Sequence, residues 1–158
     1  MAGAAEADAF DLGRFMAAQQ GIFDQALAEV CGGRKRTHWM WFIFPQIDGL
    51  GSSSTARFFA IKSIEEAREY LRHPVLGARL HECAEVVLAV EGRSAHEIFG
   101  SPDDLKLRSC MTLFESVDGP DSVFGRVLDK YFEDGRDKRT LQILETLRQL
   151  SRGERDDS

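Results

Sequence analysis

Apolar residues recur at steps of three and four along most of the chain. Leu12, Phe15, Met16, Phe23, Ala26, Leu27 and Val30 fall on one helical face, with Gln19 as its one polar member. That spacing is the buried stripe of an amphipathic helix. Asp11 is placed to cap its start, and Gly32-Gly33 ends it. The next apolar run, His38-Trp39-Met40-Trp41-Phe42-Ile43-Phe44-Pro45, is short and closed by proline. Its period fits a buried strand or a short helix capped by Thr37. The helical flanks favour the helix. Gln46 to Ser54 is rich in glycine and serine and reads as a loop, after which Ser54 opens a short helical turn through Ala60.

Start and stop signals divide the second half. Ser63-Ile64-Glu65-Glu66 is a capping box, in which the serine oxygen takes the third helical amide and the glutamate reaches back. Its helix stops at His73, because the residue before Pro74 avoids helical angles. Pro74 suits the first position of the next helix, whose stripe is Leu76, Leu80, Ala84, Val87 and Leu88 and whose end is Gly92. Ser94-Ala95-His96-Glu97 is a second box, opening a short helix to Gly100. Ser101-Pro102-Asp103-Asp104 is a third start, with acids at the positive helix end, and predicts a helix to about Ser116. Phe124, Val127, Leu128, Tyr131 and Phe132 mark another. The last comes after Asp137 and carries Leu141, Leu144, Leu147 and Leu150. The pattern predicts an all-α fold: one domain over residues 11–151, seven or eight helices, a disordered N-terminus at 1–10 and a disordered charged tail at 152–158. There is no internal repeat and no β-α-β alternation.

Composition narrows this picture. A chain of 158 residues with 43% hydrophobic content can bury a core without staples. With 11 Phe against 2 Tyr, most aromatic surface lacks a polar tip and belongs inside. The net charge of −6 disfavours whole-molecule attraction to nucleic acid or to an anionic membrane, while leaving room for a local basic patch that holds one phosphate. Cys31, Cys83 and Cys110 show no Cys-x-x-Cys or Cys/His ligand spacing, so no metal site is expected, and free thiols fit a reducing compartment. The acidic first ten residues do not form a signal peptide, and no apolar run approaches the ~20 residues of a membrane span. A cytoplasmic monomer without cofactor is the expectation.

Candidate chemistry concentrates in Arg34 to Gly51, which sets three cations, His38, Trp39 and Trp41 directly before a Gly/Ser loop. Indole faces stack on flat rings or cations, and Lys or Arg clamps phosphate or carboxylate. These are the parts of a site for a small anionic, ring-containing ligand. Each tryptophan taken alone reads more readily as core, and the cations equally complement a helix C-terminus. Gly49-Leu50-Gly51-Ser52-Ser53-Ser54 lacks the ending of a P-loop and the spacing of a dinucleotide fingerprint. A second segment is Asp103 to Ser109. Asp104 and Arg108 are spaced to pair, while Lys106, Ser109 and Thr112 share a face. Acids at a helix start are more often dipole complements than proton carriers. His73, His81 and His96 fit structural roles, and Cys110 fits a quiet helical thiol.

One string is unusual enough to point to a family. Gly33-Arg34-Lys35-Arg36-Thr37-His38-Trp39-Met40-Trp41-Phe42-Ile43-Phe44-Pro45-Gln46, with Gly49-Leu50-Gly51 just beyond it, resembles the signature of the bacterial family called domain of unknown function 1810. His73 to Leu80, and Ile98 to Leu107 with Ser109 and Met111 to Phe114, agree with it, so the likeness runs from about Phe15 to Leu147. The resemblance implies a small, mainly helical, stand-alone cytoplasmic domain and supplies no reaction. Its signature points to Lys35, His38, Trp39, Trp41, Gln46, Asp104, Lys106 and Ser109 as residues converging on one pocket. A fainter likeness, in the run from His73-Pro74 to Gly100-Pro102-Asp103, is to helical domains that process NAD-derived ADP-ribose, and no catalytic residue is carried over from it.

Two functional readings emerge. In the first, the protein is an enzyme or binder for an anionic, ring-containing metabolite, nucleotide or ADP-ribose related. Lys35 and Lys106 hold the anion, Trp39 or Trp41 stacks, Gln46 and Ser109 add polar contacts, and His38 or Asp104 carries protons in a hydrolytic or glycosidic step. In the second it is a non-catalytic protein-interaction module, presenting Phe42, Ile43, Phe44 and Leu50 as an apolar patch.

Overall fold

A computed structural model describes residues 8–133 and 135–156. Among these residues ten helices account for the fold. They are α1 (Gly13–Gln19), α2 (Phe23–Cys31), α3 (Met40–Ile43), α4 (Ser54–Phe59), α5 (Ile64–Arg72), α6 (Leu76–Ala89), α7 (Ala95–Phe99), α8 (Asp103–Asp118), α9 (Val123–Tyr131) and α10 (Lys138–Asp156). The all-α expectation holds. The nearest approach to a strand among the described residues is one isolated parallel bridge, Ile47 to Ile61.

The core forms around α6 and α8. Helix α6 packs against α2, α5 and α9, while α8 packs against α5, α7, α9 and α10. Phe15, Phe44, Phe114 and Phe124 are fully buried, whereas Phe58 is exposed and Phe10, Phe23, Phe42, Phe59 and Phe132 are half-buried against the core. Gly77 lets the start of α6 lie against the end of α5. A Cβ there would sit 2.0 Å from the Leu71 carbonyl oxygen, so no other residue fits.

Several local expectations are corrected. The first predicted helix is two, broken at Gln20–Ile22 where Gly21 takes a φ of +75°. The break lets Gln19 turn inward, where its Nε2 donates to the Phe42 carbonyl (2.8 Å) and to Tyr70 (3.2 Å), and its Oε1 accepts from Arg79 (3.2 Å). Asp11 is not the cap. It sits at φ +54°, and the Asp8 carboxylate takes the Leu12 and Gly13 amides instead. Helix α6 begins at Leu76 rather than Pro74, because the His73 ring accepts the Val75 and Leu76 amides (3.1 Å each) and caps it. The box at Ser94 closes in both directions, but that at Ser63 closes in one. Ser63 Oγ takes the Glu66 amide, while Glu66 reaches to the Lys62 amide (2.9 Å) and to Arg14 (2.7 Å). Helix α10 runs to Asp156, past Arg152 where a tail was expected. Its arginines, glutamates and leucines are good helix formers. Residues 1–7 and 157–158 of the expected termini lie outside the described residues.

Candidate functional site

The turn after α2 places the signature. Gly33 adopts φ +80°, the Arg34 amide closes on the Glu29 carbonyl (3.1 Å), and the Lys35 amide donates to the Ile98 carbonyl on α7 (2.7 Å). The Glu29 carboxylate organises the stretch from Arg36 to Trp39. One oxygen accepts from the Arg36 amide (2.7 Å), the Thr37 amide (3.0 Å) and Trp39 Nε1 (3.0 Å), and the other from Thr37 Oγ1 (2.7 Å) and Gln25 (3.1 Å). No single motif announced this residue. Burial pushes its carboxyl up, but these hydrogen bonds outweigh that and hold the pKa at about 2.

So fixed, the loop meets α3, Thr55 of α4 and the first turn of α8 around a pocket of about 160 Å³. Lys35, His38, Trp39, Met40, Trp41, Phe42, Thr55, Asp103 and Lys106 line it. Lys35 Nζ lies 2.9 Å from Asp103 Oδ2, 2.5 Å from the Thr37 carbonyl and 4.9 Å from the Trp39 ring centre. Lys106 Nζ lies 3.0 Å from Asp103 Oδ1 and 4.3 Å from the Trp41 ring centre. One carboxylate therefore bridges two ammonium groups, each laid over an indole. Burial raises the Asp103 carboxyl, but the hydrogen bonds and charges of Lys35 and Lys106 outweigh it and hold it below the ordinary value. Asp103 is thus ionised at neutral pH, and the three groups together carry one excess positive charge. An ammonium has three donors. Lys35 uses two of its own on protein acceptors and Lys106 uses one, so donors remain for a ligand.

Five of the eight expected residues, Lys35, His38, Trp39, Trp41 and Lys106, meet in this pocket. Trp39 contributes little surface, being 1% exposed, whereas Trp41 is half-buried and presents a face. The other three lie elsewhere. Asp104 points to His96 on α7 (3.5 Å) and takes the Leu105 amide; Ser109 is buried and bonds the Leu105 carbonyl within its own helix (3.1 Å). Arg108 does not pair with Asp104 but donates to the Gly135 and Arg136 carbonyls. Gln46 is buried behind Trp41, with its carboxamide nitrogen unpartnered. The acid that does face the pocket is Asp103, legible afterwards as the residue one helical turn before Lys106.

A larger groove of about 530 Å³ lies between α5 and α10, lined by Arg68, Arg148 and Arg152 with Ser63 and Ser151. It offers no aromatic face. The apolar patch required by an interaction module is not formed, because Ile43 (2%) and Phe44 (0%) are interior and Phe42 and Leu50 pack against the core.

Fold and site together define a small all-α domain with a cation–indole pocket built by one turn and one helix start. The chain belongs to the family described as protein of unknown function (DUF1810), which it matches over residues 9–144. It is also similar to a crystal structure of a conserved hypothetical protein from Mycobacterium tuberculosis, with 51% identity, a TM-score of 0.84, and coverage of 86% of this chain and 97% of that one. No curated protein matches the chain. No helix among the described residues is long and apolar enough to cross a membrane.

Proposed function

We propose that the protein binds a small anionic, ring-containing metabolite at the Lys35–Lys106–Trp41 pocket, with a nucleotide or ADP-ribose derivative as the class that best matches its chemistry. The observation that carries this reading is the pair of ammonium groups brought together on one carboxylate beside an accessible indole. One carboxylate answers two ammonium groups, which leaves one excess positive charge in the pocket for an anion to use. The volume of about 160 Å³ is below the usual ~300–1,000 Å³ of an enclosing ligand site, so the pocket in this conformation holds one end of a ligand.

His38 sits at the exposed edge of the lining and supplies the imidazole suited to moving a proton to or from a bound ligand. A hydrolytic or glycosidic step would suit that group without a redox cofactor. Asp103 serves as an internal counter-ion, not as a proton donor, since its lysine partners keep it ionised.

Thermal melting against uridine and adenosine monophosphates, ribose 5-phosphate and inorganic phosphate tests the reading. A ligand that binds only the folded state raises the midpoint. A nucleotide is expected to raise it more than phosphate does, and Lys35→Ala combined with Lys106→Ala to abolish the shift. Unmoved midpoints across the panel at millimolar concentration would reject it.

A further inference from the structure

Behind Trp41 lies a second, narrow space of about 10 Å³, whose lining includes Gln46, Ile47, Gly51, Ala56 and Phe59. It has room for about one water-sized group. Trp41 lines both this space and the outer pocket, so its indole is the wall between them. The fit is close, and a Cβ on Gly51 would meet Ala56 Cβ at 2.6 Å and the indole at 3.1 Å. Gln46 is 6% exposed, and its carboxamide nitrogen has no hydrogen-bond partner. The backbone around it is firmly held, since the Gln46 carbonyl accepts from the Ile61 amide and the Asp48 amide donates to the Ile61 carbonyl (2.8 Å each). The main chain that carries the orphan donor is therefore fixed.

A buried donor without a partner costs stability, and Leu at the same position would avoid that cost. A fold that keeps such a group beside a cation–indole pocket has a use for it. We propose that Gln46 selects the ring of the ligand: when the Trp41 indole turns aside, the inner space joins the outer pocket, and Gln46 Nε2 donates to an acceptor atom on the ring edge. Resting on the anion-binding reading of the outer pocket, this narrows the ligand class to phosphorylated rings that carry a carbonyl or ring-nitrogen acceptor. The lysines hold the anion and Gln46 reads the opposite end.

Calorimetric titration of the wild type, Gln46→Leu and Lys106→Ala with uridine 5′-monophosphate, phenyl phosphate and inorganic phosphate tests it. Phenyl phosphate has the ring and the anion but no acceptor on the ring. The wild type is expected to prefer uridine monophosphate to phenyl phosphate. Gln46→Leu should weaken uridine monophosphate about tenfold, the worth of one net hydrogen bond, and leave phenyl phosphate unchanged. Its melting midpoint should equal or exceed that of the wild type, because an unsatisfied donor has been removed. Equal affinity of wild type and Gln46→Leu for uridine monophosphate, with Lys106→Ala still weakening it, overturns the role of Gln46 and leaves the outer pocket standing. A midpoint several degrees lower in Gln46→Leu also overturns it, since the donor would then be satisfied in the free protein. If none of the three compounds binds the wild type, the pocket reading falls and takes this one with it.

Discussion

Removing the Glu29 carboxylate should unfold the signature turn before it touches any ligand chemistry. Five donors converge on it, and one of them, Trp39 Nε1, belongs to a side chain only 1% exposed. In Glu29→Ala the exposed Arg36 and Thr37 amides can turn to water, but the indole N–H cannot. A stranded buried donor costs ~1–3 kcal/mol, and the lost charge-assisted bonds add ~1 kcal/mol or more, for a total of about 2–4 kcal/mol. Glu29→Gln keeps one carbonyl oxygen for the three N–H groups and should cost about half as much. The pH dependence has a definite sign. The carboxyl is depressed from 4.5 to about 2, so its contribution is complete above pH 4.5 and is lost as pH falls toward 2. Full linkage for that shift would be ~3 kcal/mol, and partial exposure of the group reduces it to about 1–2 kcal/mol. Urea unfolding of wild type and Glu29→Gln at intervals from pH 6 to pH 2 measures this. The two stabilities should converge toward the acid end, where the wild-type group loses its charge. A constant gap across that range, or a Glu29→Ala variant within 0.5 kcal/mol of wild type, would refute the account.

Three other perturbations rest on the same geometry. Arg14 and Glu66 pair at 2.7 Å with side chains 7% and 3% exposed, and Arg14 also donates to four carbonyls, so Glu66→Ala, which strands a buried guanidinium, should cost ~3–5 kcal/mol in chemical denaturation. Asp103→Asn removes the counter-ion between the lysines, and inorganic phosphate should then bind several-fold tighter by calorimetry while the melting midpoint falls; weaker phosphate binding would contradict the placement of Lys35 and Lys106 as anion donors. Cys31 is exposed, whereas burial pushes the Cys83 thiol up to about 12 and raises Cys110 well above the ordinary value, so an aromatic disulfide reagent should titrate one thiol quickly and the other two only on unfolding.

The range of each interaction decided whether the sequence disclosed it. The Ser94 box was legible because both of its bonds are made within four residues. The Ser63 box was half legible because Glu66 is taken by Arg14, 52 positions earlier in the chain, and no local pattern encodes that partner. Gln19 stood out as a polar residue on an apolar stripe. What it bonds to could not be read, since its three partners, Phe42, Tyr70 and Arg79, come from three other helices.

The pocket divides in the same way. Lys35, His38 and Trp41 were found because they share one short segment, and Lys106 because it falls in a second segment of the same signature. Choosing between Asp103 and Asp104 was a matter of helix phase. Adjacent residues differ by about 100° around the axis, so the two do not share a face. The phase of α8 is set where Leu107, Cys110, Met111 and Phe114 bury themselves, and this turns Asp103 and Lys106 toward the signature turn while Asp104 faces His96. A periodic stripe fixes which face of a helix is interior. Which polar flank of that stripe borders a site depends on where the neighbouring turn lands, and here the Lys35–Ile98 backbone bond decides that. Which flank of a helix start faces the pocket is thus a tertiary property, and variants at Asp103 rather than Asp104 are the ones that report on it.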